Sequence, residues 1–384
     1  MNCSTPKLPA IDWDTFDGEK NSSTPCLLEH SGTHFTVSGR AAILLALEMF
    51  QVGPGKKVLV PTYHCPTMVA PIVALGAEPI FYPIDKNGSP VLSWLQNTRS
   101  ADVDVILVTH LFGLPQPLLE IRSWCDQHGV RLIEDCAHAL FGVSDDRAVG
   151  LWGDLAIASL TKFLPVSEGG CLVNNLVQVP LPQLQSPSFK SQIKAAFDIL
   201  HTSINHDRLA VLAPLIRMIS RLSKLLKSKS NHVDPVSPGD APFGDGFVID
   251  VAQSHIALTR ACCWIAKHAH RQRIVARRRD NYQFFVKAFA GVPSMRPLLI
   301  DLPDHCAPYV FPLWIDQPDP GYAELRRIAF PVSRWDRLWP TVPAIEQDNG
   351  KYWSHHVLQL ACHQDLTTAE LQQMVTTLKQ VYAT

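Results

Sequence analysis

Apolar residues recur at two different periods along this chain, and the alternation between them predicts most of its architecture. Between Gly39 and Phe50 the residues Ala42, Leu45, Ala46 and Met49 fall at helical spacing, and Gly53-Pro54-Gly55 stops the run. Residues 57–61 then form a short apolar stretch suited to a buried strand. Residues 69–75 predict a helix with Pro71 in its first turn, and 79–82 a strand. A strand over 103–108 ends at Thr109-His110; a helix over 118–128 is closed by Gly129. Residues 130–133 and 155–158 read as two further strands.

Short β-branched strands separated by helices predict an α/β fold: a mostly parallel sheet with helices on both faces. Ligands of such sheets bind beyond the carboxyl ends of the strands. His110, Asp135 and Ser159 each fall just after one. The pattern changes further on. Residues 179–188 are Pro- and Ser-rich, hence a loop; 193–227 read as helical, with Pro214 a break or a second start; 228–246 form another loop. A long helix is predicted over 251–288, with Arg271, Arg273, Arg277, Arg278 and Arg279 on its exposed face; the alternative for the run Arg277-Arg278-Arg279 is binding a substrate phosphate or carboxylate. Strands over 298–301 and 309–315 and a helix over 368–382 suggest a smaller α+β unit. The expected division is a large domain over 1–250, with an N-terminal segment 1–34 and a helical insertion near 190–230, and a linking helix plus small domain over 251–384.

Composition narrows the class. The chain has 384 residues, 46% hydrophobic and 18% charged, with a formal net charge of −1. A protein that neutralises many phosphates is markedly basic, so nucleic acid is not an expected partner. Ten cysteines form no C-x-x-C pair and suit reduced thiols in a cytoplasmic protein. Residues 1–26 hold no apolar core of a signal peptide, and no apolar run reaches the roughly 18 residues needed to span a bilayer. Over 209–229, Leu209, Leu212, Leu215, Ile216, Ile219, Leu222 and Leu226 share one helical face, with Arg217, Arg221, Lys224 and Lys227 off it. That face suits packing on the body or on a second subunit; contact with a membrane surface is the alternative. His355, His356, Cys362 and His363 match no metal-ligand spacing, and no metal site is expected.

Three short segments carry candidate chemistry. Ser159-Leu160-Thr161-Lys162 places a lysine just past a strand end, with Gly169-Gly170 following to admit a planar ligand. Taken alone, this segment fits a surface loop with a solvated lysine better. Asp135, at the end of another strand, suits a buried carboxylate that keeps a pyridine nitrogen protonated, though it suits a helix N-cap too. Ser38-Gly39-Arg40-Ala41 opens a helix whose first amides form an anion site, or is simply a helix start. Together and in this order, they favour a phosphate-bearing aromatic cofactor.

With Gly76-Ala77-Glu78-Pro79, Thr109-His110-Leu111-Phe112-Gly113, Glu134-Asp135-Cys136-Ala137-His138-Ala139, Gly153-Asp154 and Lys162 with Glu168-Gly169-Gly170, these segments resemble the DegT/DnrJ/StrS family. Its members are fold-type-I, pyridoxal-phosphate-dependent sugar aminotransferases. The resemblance is strong over 35–175 and weaker beyond. It implies a large domain with a seven-stranded-type sheet and a small C-terminal α+β domain. Lys162 would carry the cofactor covalently and shuttle a proton. Asp135 would pair with the pyridine nitrogen and His138 would stand beside the ring. Gly39, Arg40, Ala41 and Ser159 would hold the phosphate. The amino donor would be an amino acid, plausibly glutamate. The acceptor would be a keto-sugar, by default nucleotide-linked, in polysaccharide or secondary-metabolite biosynthesis. A homodimer with active sites at the subunit interface is implied as well.

The sequence departs from the family at several positions. The family's ring-stacking aromatic aligns near Cys65, and Tyr63 or His64 would have to take its place. Arg40 replaces a common threonine, and the spacing from Gly153-Asp154 to Lys162 is two residues shorter. Ser333 to Trp339 replaces a substrate-facing histidine segment, which makes Arg334 and Trp335 the candidates for substrate contact. Three rivals remain: a same-fold enzyme with a non-sugar keto substrate, a dehydratase, which in this family replaces the lysine with histidine, and a catalytically silent scaffold.

Overall fold

The computed structural model describes residues 5–18, 22–97, 103–176, 179–216, 218 and 247–382. Strands β1 (Thr33–Thr36), β2 (Lys57–Pro61), β3 (Glu78–Tyr82), β4 (Val105–Thr109), β5 (Arg131–Asp135), β8 (Leu155–Ser159) and β9 (Gly170–Asn174) form one sheet. β6 (Val143–Ser144) and β7 (Arg147–Ala148) make a separate small hairpin. Strand order in the large sheet is β1-β9-β8-β5-β4-β2-β3. The pairs from β3 to β8 are parallel, whereas β9 runs antiparallel to both β8 and β1.

The apolar runs are continuous because both sheet faces are covered. Val58, Val60, Val105 and Leu107 point to one face, where the helices Gly39–Met49 and Pro66–Ala74 supply Ala42, Leu45, Ala46, Met68, Val69 and Ile72. Leu59, Ile106, Val108 and Leu132 point to the other, against Ile121, Trp124 and Cys125 of the helix Leu119–His128. Gly129 ends that helix in the left-handed region at φ 68°.

A second sheet, wholly antiparallel, has the order β10 (Met295–Pro297), β11 (Val310–Ile315), β13 (Val357–Ala361), β12 (Val332–Ser333). Phe311, Leu313, Leu358 and Leu360 pack there against Tyr282, Phe285 and Phe289 of the helix Arg271–Phe289 and Leu371, Met374 and Leu378 of the helix Thr368–Tyr382. The helix Arg271–Phe289 joins the two cores, since its Ile274 and Val275 pack with residues of the large sheet. Two long-range bonds tie the N-terminal segment to this region. His363 Nε2 donates to the Pro6 carbonyl at 3.0 Å, and Arg273 bridges Asp12 and Asp365 at 2.7 Å each.

Four expectations need correction. The single helix over 251–288 is three: Val251–Ser254, Arg260–His268 and Arg271–Phe289. Backbone pairing breaks it, because Ala257 bridges Thr36 and donates to Gln185, while the His270 amide donates to Thr15. The five arginines expected on its exposed face are not exposed: Arg271, Arg273, Arg277 and Arg279 are half-buried and Arg278 is fully buried. Pro71 lies inside a helix that begins at Pro66, so the Thr67 carbonyl gets no amide donor from position 71. The strand expected over 298–301 is instead β10, just upstream, paired with β11. The helix expected over 193–227 is interrupted: Phe189–Asn205 is followed by a short turn at Ala210–Leu212, and residues 213–216 and 218 are helical again, the second start allowed for at Pro214; residue 217 and residues 219–246 lie outside the described residues, and with them Arg217, Arg221, Lys224 and Lys227 of the basic face and the loop 228–246. No helix among the described residues is long and apolar enough to cross a membrane.

Candidate active site

Beyond the carboxyl ends of β4, β5 and β8 the chain leaves a cavity of about 400 Å³, within the size range of small-molecule sites. Its lining includes Ser38, Gly39, Arg40, Asp135, His138, Ser159 and Lys162. Sequence-distant candidates therefore share one space.

One end of the cavity is the start of the helix Gly39–Met49. Ser38 is its N-cap, and the Ser38 hydroxyl accepts the Ala41 amide at 3.1 Å. This corrects the expectation for Ala41: its amide is already taken by the Ser38 hydroxyl, and Gly39 and Arg40 stand ahead of it at the helix start. The Arg40 side chain donates to the Val248 carbonyl at 2.6 Å. Gly39 is needed because β8 runs close by; a Cβ there would lie 3.1 Å from Ser159 Cβ.

The other end is chemical. Asp135 ends β5 with its carboxylate accepting the Ala137 amide at 2.8 Å. Burial pushes its pKa up, and the nearby Lys162 cation opposes that rise. Lys162 sits in the turn Leu160–Lys162 directly after β8. Burial lowers its pKa, which enriches the neutral, nucleophilic amine, while Asp135 works the other way. Among the described residues its Nζ makes no hydrogen bond; it lies 5.4 Å from the centre of the Tyr309 ring. His138 is buried and held neutral, well below its usual pKa, by desolvation first and by Lys162 second. Its Nδ1 accepts the Phe112 amide at 3.3 Å, which puts the ring proton on Nε2. The His138 ring packs on Tyr309 and Trp335, at centroid distances of 4.5 and 5.1 Å.

Three candidate residues are placed elsewhere. Tyr63 is not in the lining: its ring is enclosed by Phe112, Trp335 and Trp353, and its hydroxyl accepts from Gln359 at 3.0 Å. His64 stacks on Phe81, donates from Nδ1 to the Pro61 and Thr62 carbonyls and accepts the Trp339 amide at Nε2. Neither ring has a face left for a ligand, and Cys65 lines the cavity instead. Arg334 is turned away, clasped by Asp319 and Asp336 and lying over the Tyr322 ring, whereas Trp335 does line the cavity.

The sequence reading passed over Tyr309, which touches both Lys162 and His138, and it placed Arg278 on a solvated face or at a substrate anion, whereas Arg278 is buried and holds the Lys162 carbonyl. A signal for Arg278 was present. It falls on the same helical stripe as Ile274, Tyr282 and Phe285, all buried.

Ligand atoms of His110, Glu134 and Cys136 lie within 4.8 Å of one another, a spacing that could hold a metal ion. The Glu134 carboxylate is already filled by the amides of Gly150, Trp152 and Gly153 and by His110 Nε2 at 2.9 Å. These contacts make it an anchor for the loop before β8.

The cavity residues fit the cofactor that the sequence suggested. A helix N-terminus offers a place for a phosphate, a buried carboxylate offers a partner for a ring nitrogen, and an amine that makes no hydrogen bond among the described residues faces the same space.

Comparison with known proteins agrees. Residues 28–178 match the model of the DegT/DnrJ/EryC1/StrS aminotransferase family. A UDP-N-acetyl-3-dehydro-alpha-D-glucosamine 3-aminotransferase of Acidithiobacillus ferrooxidans is 32% identical over 139 residues, which are 35% of this chain and 38% of that one. A GDP-perosamine synthase of Vibrio cholerae is 32% identical over 144 residues, 36% of this chain and 39% of that one. The match thus spans about two fifths of the length of these relatives. Over nearly the whole chain the fold is that of solved aminotransferases. Helicobacter pylori PseC, an aminotransferase involved in the biosynthesis of pseudoaminic acid, aligns with a TM-score of 0.65 at 14% identity, covering 100% of this chain and 99% of that one. The aminotransferase TlmJ of Streptoalloteichus hindustanus aligns at 0.60 and 17% identity, covering 92% and 86%.

Proposed function

We propose that this chain, whose residues 28–178 belong to the DegT/DnrJ/EryC1/StrS aminotransferase family, is a pyridoxal-phosphate-dependent aminotransferase. It takes an amino group from an amino acid, glutamate in the first instance, and delivers it to a keto-sugar carried on a nucleotide, in polysaccharide or secondary-metabolite biosynthesis. The observation that carries this reading is that Lys162, Asp135 and the start of the helix Gly39–Met49 line a single cavity. The sugar acceptor rests on the relatives, whose names specify nucleotide-sugar substrates. A homodimer and a cytoplasmic location belong to the same proposal.

Pyridoxal phosphate, when bound, supplies an electron sink that stabilises negative charge on the carbon next to the reacting nitrogen. The chain's own residues do the rest. Gly39 and Arg40 offer amides and Ser159 a hydroxyl to the phosphate. The Asp135 carboxylate holds a ring nitrogen in its protonated form. Lys162 binds the cofactor covalently, and burial, which lowers its pKa, favours the neutral form of the freed amine, the form that accepts a proton and returns it. Neutral His138 donates from Nε2 while its Nδ1 is pinned by Phe112.

The purified protein should absorb at the violet edge of the visible spectrum, bleach with borohydride, and carry the reduced cofactor on Lys162. Lys162→Ala should lose the covalent label. A colourless wild type that never binds the cofactor favours a silent scaffold. Amino donors are then screened for conversion of bound cofactor to its amine form, and keto-sugars for the reverse. A second acceptor class has one observation behind it: Trp335 puts an aromatic wall where the family has a histidine segment. Reoxidation by non-sugar ketones alone would replace the sugar reading.

A further inference from the structure

Arg278 has no exposed surface, and among the described residues no carboxylate comes within hydrogen-bonding distance of it. Its guanidinium is spent on neutral acceptors. Nε donates to Gln364 Oε1 at 2.8 Å, one terminal nitrogen to the carbonyls of Pro308 and Tyr309 at 2.9 and 3.1 Å, and the other to the carbonyl of Lys162 at 2.8 Å. The Gln364 amide in turn donates to the Phe163 carbonyl at 3.0 Å. The cation also stacks on the Phe163 ring, 4.5 Å from its centre.

Such an arrangement is a poor stabiliser. Desolvating a cation is expensive, and a Met or Leu on the stripe of Ile274, Tyr282 and Phe285 would pack without that cost. What a forked, planar donor does better than any apolar side chain is fix several acceptors at once. Lys162 lies in a three-residue turn with little rigidity of its own. The Tyr309 ring stands against both its Nζ and His138.

We propose that Arg278 is a positioning residue for the chemistry at Lys162: one buried guanidinium holds the carbonyls at the bases of Lys162 and Tyr309 and so sets the amine against its neighbours. The inference rests on the proposed function. It places the control of the lysine partly in a helix that belongs to the second sheet's core.

The test uses the full-length protein loaded with pyridoxal phosphate, as wild type, Arg278→Lys, Arg278→Gln and Arg279→Gln. Arg279, one residue on, reaches Pro303 and Cys306 among the described residues and serves as the neighbouring control. Two quantities are read: the midpoint of the pH titration of the bound cofactor's visible band, and the single-turnover rate and affinity with L-glutamate. Arg278→Lys and Arg278→Gln are expected to displace the midpoint by about half a pH unit or more. They should also slow the glutamate reaction about tenfold or more with affinity nearly unchanged, as a misplaced reacting group does. Arg279→Gln should track wild type. Lysine keeps the charge but not the fork, so a folded Arg278→Lys protein with the wild-type midpoint and rate overturns the proposal, whether or not Arg278→Gln folds. A wild type without a visible band or a labelled Lys162 instead overturns the aminotransferase reading itself.

Discussion

Glu134 shows what a single buried carboxylate can hold in place. Burial alone raises its pKa, but His110 and the amides around it outweigh that and hold it below the usual range. A folded-state pKa below the unfolded one means the stabilisation is full above about pH 4.5 and is lost as pH falls through the lower value. Glu134→Gln would turn an amide NH2 towards backbone donors, and about 3 kcal/mol of stability should go at neutral pH. Denaturant unfolding at pH 7 and near pH 3.5 checks this; a deficit that persists undiminished in acid contradicts the account. Lys162 and Asp135 were legible from sequence because each follows a run of apolar residues that can only be a buried strand. Tyr63 and His64 were misplaced because nothing in Thr62-Tyr63-His64 records that Trp353 and Gln359, nearly 300 residues away, take up the tyrosine. Arg278 was lost in the run Arg277-Arg278-Arg279, where charge suggested solvent and periodicity, the better guide, suggested the core.

At the level of elements, the parallel strands of the large sheet and β11 of the second sheet were readable, whereas β1 and β9 were not. β2, β4, β5 and β8 are apolar on both faces, while β1 is Thr-His-Phe-Thr at the sheet edge and shows no run of its own. The helix over 251–288 was drawn too long for a related reason. Its breaks are made by partners, Thr36, Gln185 and Thr15, and no proline or glycine marks them. Gly170 is where three elements converge: a Cβ there would sit 2.3 Å from the Ser38 carbonyl carbon and 2.5 Å from the Gly39 nitrogen. Gly170→Ala must push the start of the helix Gly39–Met49 away from β9. We expect a loss of about 1–3 kcal/mol and a cofactor affinity at least several-fold weaker. Equilibrium dialysis against pyridoxal phosphate decides this, and undiminished affinity would show that the helix start does not hold the phosphate.

For the molecule as a whole, buried histidines set the response to acid. Desolvation brings His64 to about 4 and His363 to about 3, and carries His138 well below its usual value. In the unfolded chain all three titrate near 6.5, so their contribution is complete above that pH and drains away as pH falls towards the folded values. Asp365 acts in the opposite sense. Burial lifts it to about 6, and its contribution fades as pH rises through that point. His34 is lowered by burial in the same sense, while Asp135 is raised like Asp365 and His255 is raised by its bond to the Val251 carbonyl; the deep shifts of His64, His138 and His363 make acid the losing direction. The melting temperature should fall steadily from about pH 6.5 to about pH 4.5, ahead of ordinary carboxylate protonation; a level profile across that window refutes the balance drawn here. The bonds from His363 to Pro6 and from Arg273 to Asp12 and Asp365 carry a different consequence, one of timing. On the ribosome the segment around Pro6 and Asp12 is made more than 250 residues before His363 and Arg273, the side chains that donate to it. It must wait undocked while the large sheet assembles beside it, so closure of this seam is the natural late step of folding and the natural first breach when the protein is pulled apart.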